Sequence, residues 1–344
     1  MRAAVLRAFG SPLSIEEIED PRPGPYDVIV NVQVCGIDGT DLKLVDGFGY
    51  APDLPFIMGH EVAGFVEAVG ARVASLRPGD RVIPYNFVIP RESLWFRSDR
   101  EQLAADMIGV VGVRNCNGGY AEKLVLPEYQ FVRIPDGVDW HDAAVHGDAG
   151  LTAYHAVQRS RMVTGETVVV IGAGGVGSFA IQFAKLIGAR VIVAERTPLK
   201  RNWALQLGAD EVVAAETMVD DIKKLTGGHG AACVLDIVGT EQTMAAAVDV
   251  IEAGGRVVIV GYTPDYMNLA GKRLAQNEIE VMGSRAGSRK DLSAALNLTA
   301  AGKIRSIVTD RAPLREVNEA LAKLRRGEVI GRLVLDIAEK RGGA

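Results

Sequence analysis

Residues 36–41, Gly36-Ile37-Asp38-Gly39-Thr40-Asp41, place two carboxylates and a hydroxyl in one short stretch, and Gly59-His60-Glu61 follows. A carboxylate, a hydroxyl and an imidazole are the groups that a Lewis-acidic ion acting on an alcohol oxygen would need around it. Far downstream, Gly172-Ala173-Gly174-Gly175-Val176-Gly177 sits between an apolar run and a helical period, the place for a dinucleotide pyrophosphate. Together they point to hydride exchange between a carbinol and a nicotinamide ring. Either element alone would carry far less.

Three glycines at G-x-G-x-x-G spacing have separate tasks. Gly172 allows the tight turn, Gly174 lets the backbone approach the phosphates, and Gly177 permits close packing of helix on strand; Gly175 and Val176 open the helix between them. Glu195 falls at the end of the next strand, where a carboxylate accepts hydrogen bonds from both adenosine ribose hydroxyls and repels a 2′-phosphate. That favours NAD. Arg196 and Arg201 lie close by, and an arginine can pair with a 2′-phosphate, so NADP stays open.

Two different scaffolds must position these groups. From residue 1 to about 148 the chain reads as short β segments, at 27–34, 62–69 and 81–83, broken by Pro21-Arg22-Pro23-Gly24-Pro25 and Pro78-Gly79-Asp80, and predicts a compact all-β body. Residues 86–115 form a polar excursion carrying Trp95 and Phe96, with a short helix expected near 99–108. From Gly150 strands at 167–171, 190–194, 232–237 and 256–260 alternate with helical stretches, which predicts a doubly wound parallel sheet. Helices near 291–301 and 314–325 and a strand at 332–336 end the pattern and return the chain to the first domain. The expected division is 1–150, completed by about 287–344, and 151–286.

The 344-residue length suits two domains, and 48% hydrophobic with 24% charged residues is ordinary for a globular protein. A formal charge of −5 gives no reason to expect nucleic acid or an anionic membrane as partner. Cys35, Cys116 and Cys233 form no C-x-x-C pair, so no disulfide framework or cysteine-rich zinc knuckle is available, and a reducing cytoplasm is the expected home. No signal-peptide layout or bilayer-length apolar run is read.

These segments, together with Gly79-Asp80-Arg81-Val82, Gly118-Gly119-Tyr120-Ala121-Glu122, Gly150-Leu151-Thr152-Ala153 and Gly331-Arg332-Leu333-Val334-Leu335, cover nearly the whole chain. In order and spacing the chain resembles the medium-chain dehydrogenase/reductase superfamily, specifically its zinc-dependent alcohol and polyol dehydrogenases. The resemblance implies an α/β protein: a GroES-like, β-rich catalytic domain plus a doubly wound parallel-sheet (Rossmann) domain for the dinucleotide. It implies one catalytic Zn2+, with Asp38 at the position usually held by cysteine, His60 as second ligand and Asp148 as third. Glu61 enters the coordination shell in some relatives, and His146 is an outside candidate for the third position. Thr40 matches the proton-relay hydroxyl, Lys43 the end of that relay, and Arg332 an arginine near the cofactor phosphates. Asp41 is placed to orient His60. Many relatives carry a four-cysteine structural zinc lobe at 86–116; only Cys116 stands there, so no structural zinc is expected.

Charge supports the ligand set, since carboxylate for thiolate keeps two negative charges and a neutral imidazole around a divalent ion. An all-oxygen-and-nitrogen set is harder than one with sulfur, which predicts a more easily removed metal, replaceable by cobalt or manganese. Plainer alternatives stand beside it: Asp38 as a turn-capping acid, Asp148 as a helix N-cap, His60 as a core histidine, Lys43 as solvated charge, and Glu195 as a loop acid. The expected function is metal-dependent hydride transfer between an alcohol, polyol or sugar carbinol and NAD by a homo-oligomer, a dimer or tetramer. The competing readings are a zinc-independent quinone- or enoyl-type reductase using NADPH, and a non-catalytic dinucleotide-binding protein.

Overall fold

A computed structural model describes residues 1–49 and 51–338. The chain divides into two compact units, one of residues 1–148, 288–302 and 306–344, the other of residues 149–287 and 303–305.

The first unit is organised by one long strand, Asp27–Ile37, in which Val28, Val30 and Val32 are buried. Along one edge it pairs antiparallel with Glu61–Val69. Along the other, its first half pairs with Lys123–Pro127 and its last residues with Arg332–Asp336. The seven-stranded sheet runs Phe131–Arg133, Arg81–Pro84, Glu61–Val69, Asp27–Ile37, Arg332–Asp336, Val308–Pro313, with Lys123–Pro127 as the additional partner. Three strands therefore meet where Asp27–Ile37 ends: Gly36 lies opposite Glu61 on one side and Val334 on the other.

The first unit is not purely β. The helix Gly39–Val45 leaves the long strand directly, and Trp140–Val145 packs on both Asp27–Ile37 and Glu61–Val69. The helix expected near 99–108 is also absent. A short helix, Leu94–Arg97, capped by Ser93, and a single 3-10 turn, Glu101–Leu103, stand in its place. Asp99 lies between them at φ +54, a left-handed backbone that stops a helix from running through it. Aromatic packing secures the segment, with Phe96 edge-on to Tyr129 at 5.6 Å and the Arg289 guanidinium 5.2 Å from the Phe96 ring.

The second unit is a six-stranded, wholly parallel sheet ordered Glu211–Ala214, Arg190–Glu195, Thr167–Ile171, Ala231–Asp236, Ile251–Ile259, Glu280–Gly283. Val168, Val169, Val170 and Ile171 are all buried, as a strand covered on both faces requires. The strand order reverses between Thr167–Ile171 and Ala231–Asp236, which opens a crevice at their carboxyl ends. The helix Gly175–Ile187 follows the glycine turn and stops at Gly188, φ +92, the left-handed end that glycine supplies. Among the described residues no helix is long and apolar enough to cross a membrane.

Candidate metal centre and dinucleotide cleft

In the first unit, Asp38, His60 and Asp148 come together with their potential ligand atoms all within 4.8 Å of one another; among the described residues no other His/Cys/Asp/Glu group clusters this way. Three different pieces of backbone deliver them. Asp38 is the N-cap of Gly39–Val45, where Oδ1 accepts from the Thr40 amide at 2.7 Å and the Asp41 amide at 3.4 Å. Asp41 closes the reciprocal half of the box, its Oδ2 accepting from the Asp38 amide at 2.9 Å. The capping alternative for Asp38 is thus realised, and it still leaves Oδ2 facing His60.

His60 precedes Glu61–Val69 and is held by Gly59 at φ +96. A Cβ at Gly59 would stand 2.5 Å from the Tyr120 ring and 2.7 Å from Cys35 Sγ. Gly59→Ala is expected to cost about 2 kcal/mol or more of unfolding free energy and to lower metal occupancy. Urea denaturation with metal analysis checks this; wild-type values for both would refute it. Asp148 sits in a π-type turn, His146–Gly150, fastened by Asn86 Nδ2 donating to the Gly147 carbonyl at 2.9 Å. The helix that follows, Leu151–Ser160, has Gly150 at its N-cap position.

The geometry of the cluster fits a cation. His60 Nε2 lies 3.7 Å from Asp38 Oδ2 and 3.9 Å from Asp148 Oδ2, and Nδ1 lies 3.8 Å from Asp41 Oδ1. Neither ring nitrogen of this buried imidazole has a hydrogen-bond partner, an expensive arrangement unless something else satisfies Nε2. Two ligand atoms bound to one tetrahedral zinc stand roughly 3.4 Å apart, close to the spacing seen. The Asp148 side chain keeps 26% of its surface exposed against 12% for Asp38 and 4% for His60, so the cluster is open to solvent at Asp148.

Electrostatics agree. Burial alone would lower the His60 pKa, but the Asp38, Asp148 and Asp41 carboxylates outweigh it and drive it well up. Burial, aided by Asp38, pushes Asp41 up to about 7 against the pull of His60. For Asp38, burial is overcome by His60 and Arg332, and its carboxyl falls well below the usual range. Four carboxylates around one imidazole and one guanidinium leave the pocket short of positive charge.

Glu61 and Arg332 form a buried ion pair across the end of Asp27–Ile37. They come from the strands on either side of it, and the pair lies over Gly36, where a Cβ would collide with Glu61 Oε2. Burial still raises Glu61 to about 7 against the Arg332 charge. Arg332 was expected near the cofactor phosphates; its structural partner within the first unit is Glu61. Thr40 Oγ1 donates to Asp38 Oδ2 at 3.4 Å, and Lys43 lies further along the same helix, half-buried. His146 is turned elsewhere, its Nε2 2.8 Å from Thr299 Oγ1, and burial lowers its pKa to about 3. Cys35 is buried and its thiol pushed well up by that burial and by neighbouring acids.

In the second unit a cleft of about 780 Å³ opens at the carboxyl ends of the strands, lined by Gly172, Gly174, Glu195, Lys200, Val238 and Thr243 among others. Gly172 turns at φ +94, a Cβ on Gly177 would strike the Gly172 carbonyl, and a Cβ on Gly174 would meet only open space. The helix beginning at Gly175 has no side-chain cap, so its first amides are available to an anion. Gly174 is its N-cap and Val176 lies in its first turn. Glu195 is fixed by the Ala173 and Thr197 amides, each at 2.9 Å. Arg201 donates to the carbonyls of Glu195 and Arg196 at 2.8 Å, while Arg196 is exposed and lines the cleft. Sequence reasoning missed Lys200, Val238 and Thr243; only the folded crevice shows that they face it.

A carboxylate–imidazole–carboxylate cluster in a β-rich unit, and a glycine-turn cleft in a parallel-sheet unit, define the class of two-domain nicotinamide-dependent dehydrogenases. Comparisons with known proteins agree. Residues 24–136 match the family profile described as "Alcohol dehydrogenase GroES-like domain" and residues 175–301 that described as "Zinc-binding dehydrogenase". The chain is 34% identical over 343 residues to an alcohol dehydrogenase of Geobacillus stearothermophilus, covering 98% of this chain and 100% of that one. It is 32% identical over 346 residues to an NAD-dependent alcohol dehydrogenase of Sulfolobus acidocaldarius, with the same coverage. The crystal structure of the alcohol dehydrogenase from Aeropyrum pernix superposes with a TM-score of 0.91 at 33% identity, over 98% of this chain and all of that one. The chain belongs to the zinc-dependent alcohol dehydrogenase family of the medium-chain dehydrogenases/reductases.

Proposed function

We propose that this protein is an NAD-linked alcohol dehydrogenase whose single divalent-metal centre is held by Asp38, His60 and Asp148, with no second, structural zinc. The observation carrying the ligand assignment is the convergence of these three side chains around a buried imidazole whose ring nitrogens lack hydrogen-bond partners. When bound, the ion supplies Lewis-acid polarisation of a carbinol oxygen and the nicotinamide supplies the hydride acceptor.

The chain's own groups do the rest. Asp38 and Asp148 contribute negative charge at Oδ2, and His60 contributes the neutral nitrogen Nε2. Asp41 Oδ1 faces Nδ1 at 3.8 Å, where its charge would orient the ring and favour the proton on Nδ1. Thr40 Oγ1 is the hydroxyl through which the carbinol proton leaves, and Lys43, further along the same helix, would receive it only as the neutral amine. Arg332 neutralises Glu61, keeping that carboxylate next to the centre as a reserve ligand. In the second unit the glycine turn and the open helix start receive the pyrophosphate, and Glu195 accepts from the adenosine ribose, which favours NAD over NADP. Arg196, exposed beside Glu195, is the group that would admit a 2′-phosphate.

The metal-free NADPH reductase reading is not favoured, because it leaves the three-ligand cluster without purpose. Substrates are small carbinols: alcohols, polyols or sugars. Three free cysteines support a reducing cytoplasm. A homo-oligomer, dimer or tetramer, would give cover to the exposed Tyr262 and Tyr266.

The deciding experiment is metal analysis of the purified protein, followed by NADH fluorescence across an alcohol and sugar panel with and without chelator. We expect about one divalent ion per chain, lost together with activity on mild chelation and replaceable by cobalt or manganese. Activity indifferent to a metal-free preparation would refute the centre, and zinc that survives prolonged chelation would refute the weak hold.

A further inference from the structure

We infer that Asp236 is a positioning residue for the dinucleotide, fixing the 238–243 wall of the cleft against the glycine turn. The inference rests on the reading that this cleft takes NAD. Asp236 ends the strand Ala231–Asp236, on the opposite side of the crevice from the strand that leads into Gly172, and it is fully buried.

Both carboxylate oxygens of this residue are engaged in holding that wall. Oδ1 accepts from the Val238 amide at 3.0 Å and the Gly239 amide at 2.9 Å, and Oδ2 accepts from Thr243 Oγ1 at 2.9 Å. Its carbonyl accepts from the Val260 and Gly261 amides at 2.9 and 3.1 Å, and the next amide, Ile237, donates to the Ile171 carbonyl at 3.1 Å. Asp236 and the amide that follows it thus link the end of the glycine-turn strand, the following sheet strand, the crevice loop and the helix Glu241–Val250.

The consequence falls on Val238 and the two threonines. Val238 is held over the glycine turn, so that a Cβ on Gly172 would lie 2.9 Å from its Cγ2. Its side chain is still 41% exposed, and it lines the cleft with Thr240 and Thr243. An apolar side chain kept in the open at a ligand-sized crevice is a surface for a flat ring. Thr243 Oγ1 also accepts from the Thr240 amide at 3.0 Å, so the Asp236 carboxylate orients the hydroxyl that caps this helix start. Burying a carboxylate is costly, and burial does push its pKa up against the bonds from Gly239, Thr243 and Val238. Three donors converge on this carboxylate behind the wall of the cleft and together offset the cost of burying its charge.

The test titrates NADH into wild type, Asp236→Ala, Asp236→Asn and Thr243→Val, with thermal unfolding of each recorded alongside. We expect Asp236→Ala to weaken NADH binding by about tenfold or more, and Asp236→Asn, which keeps an acceptor for both amides, by less than about threefold. Thr243→Val should fall between them, and KM for NAD should rise more than kcat at saturating NAD falls. If Asp236→Ala does not fold, the other two variants decide. Lower unfolding temperatures with unchanged NADH affinity well below them would overturn the inference alone. Failure of the wild type itself to bind NADH would overturn the cofactor reading and this inference with it.

Discussion

Replacing His60 with alanine is expected to lower kcat/KM for alcohol oxidation about a thousandfold or more, roughly 4 kcal/mol of transition-state stabilisation. The same variant should purify with almost no bound metal and still bind NADH as the wild type does. His60 is the one group that touches every other member of the cluster, with Nε2 towards Asp38 and Asp148 and Nδ1 towards Asp41. Without it, two carboxylates must hold a divalent ion alone, and Asp41, fully buried, loses the ring that it faces. The imidazole leaves a cavity, so thermal unfolding is measured in parallel to separate lost chemistry from lost fold. Wild-type metal content and rate in a folded His60→Ala protein would remove His60 from the centre. A fall in NADH affinity matching the fall in rate would move the defect into the cofactor unit.

Legibility in the sequence followed how locally each structure is encoded. The glycine turn is written in consecutive residues: Gly177 answers to the Gly172 carbonyl, and Gly172 to its own positive φ. The strands at 167–171 and 190–195 could be read because both faces are buried and the residues are nearly all apolar. Asp38 and His60 were legible as short motifs. Asp148 was not legible by itself, and only the family resemblance singled it out. What aims it is a π-type turn clamped by Asn86, far away in sequence.

The Glu61–Arg332 pair was not legible for the same reason. Its members come from opposite neighbours of Asp27–Ile37, and no reading of either segment reveals that register. The 86–116 segment resisted because nothing in it is periodic; it is held by long-range contacts such as Arg289 on Phe96. Asp236 went unread because its task depends on a crevice between two strands that are neighbours in the sheet but stand far apart in sequence, with two other strands of the sheet between them in the chain.

Asp38→Cys is expected to move two measurable quantities in opposite directions. Zinc should resist chelation at least about tenfold longer, since a thiolate keeps the same charge and is the softer partner. The longer bond to sulfur, about 2.3 Å against about 2.0–2.2 Å for oxygen, offsets the shorter side chain. The metal-free protein, however, should lose about 1 kcal/mol of stability. Asp38 Oδ1 satisfies two amides at the start of Gly39–Val45, and a cysteine cannot replace those bonds. Asp41 should keep its half of the box, because its bond runs to the backbone amide of residue 38 and not to the side chain. Release of zinc into excess chelator measures the first effect, and urea unfolding of the two metal-free proteins the second. Equal release rates would mean that Asp38 does not touch the ion, whatever its distance from His60. Equal metal-free stabilities would mean that the cap contributes nothing, and that residue 38 was free to change its ligand chemistry without cost to the fold.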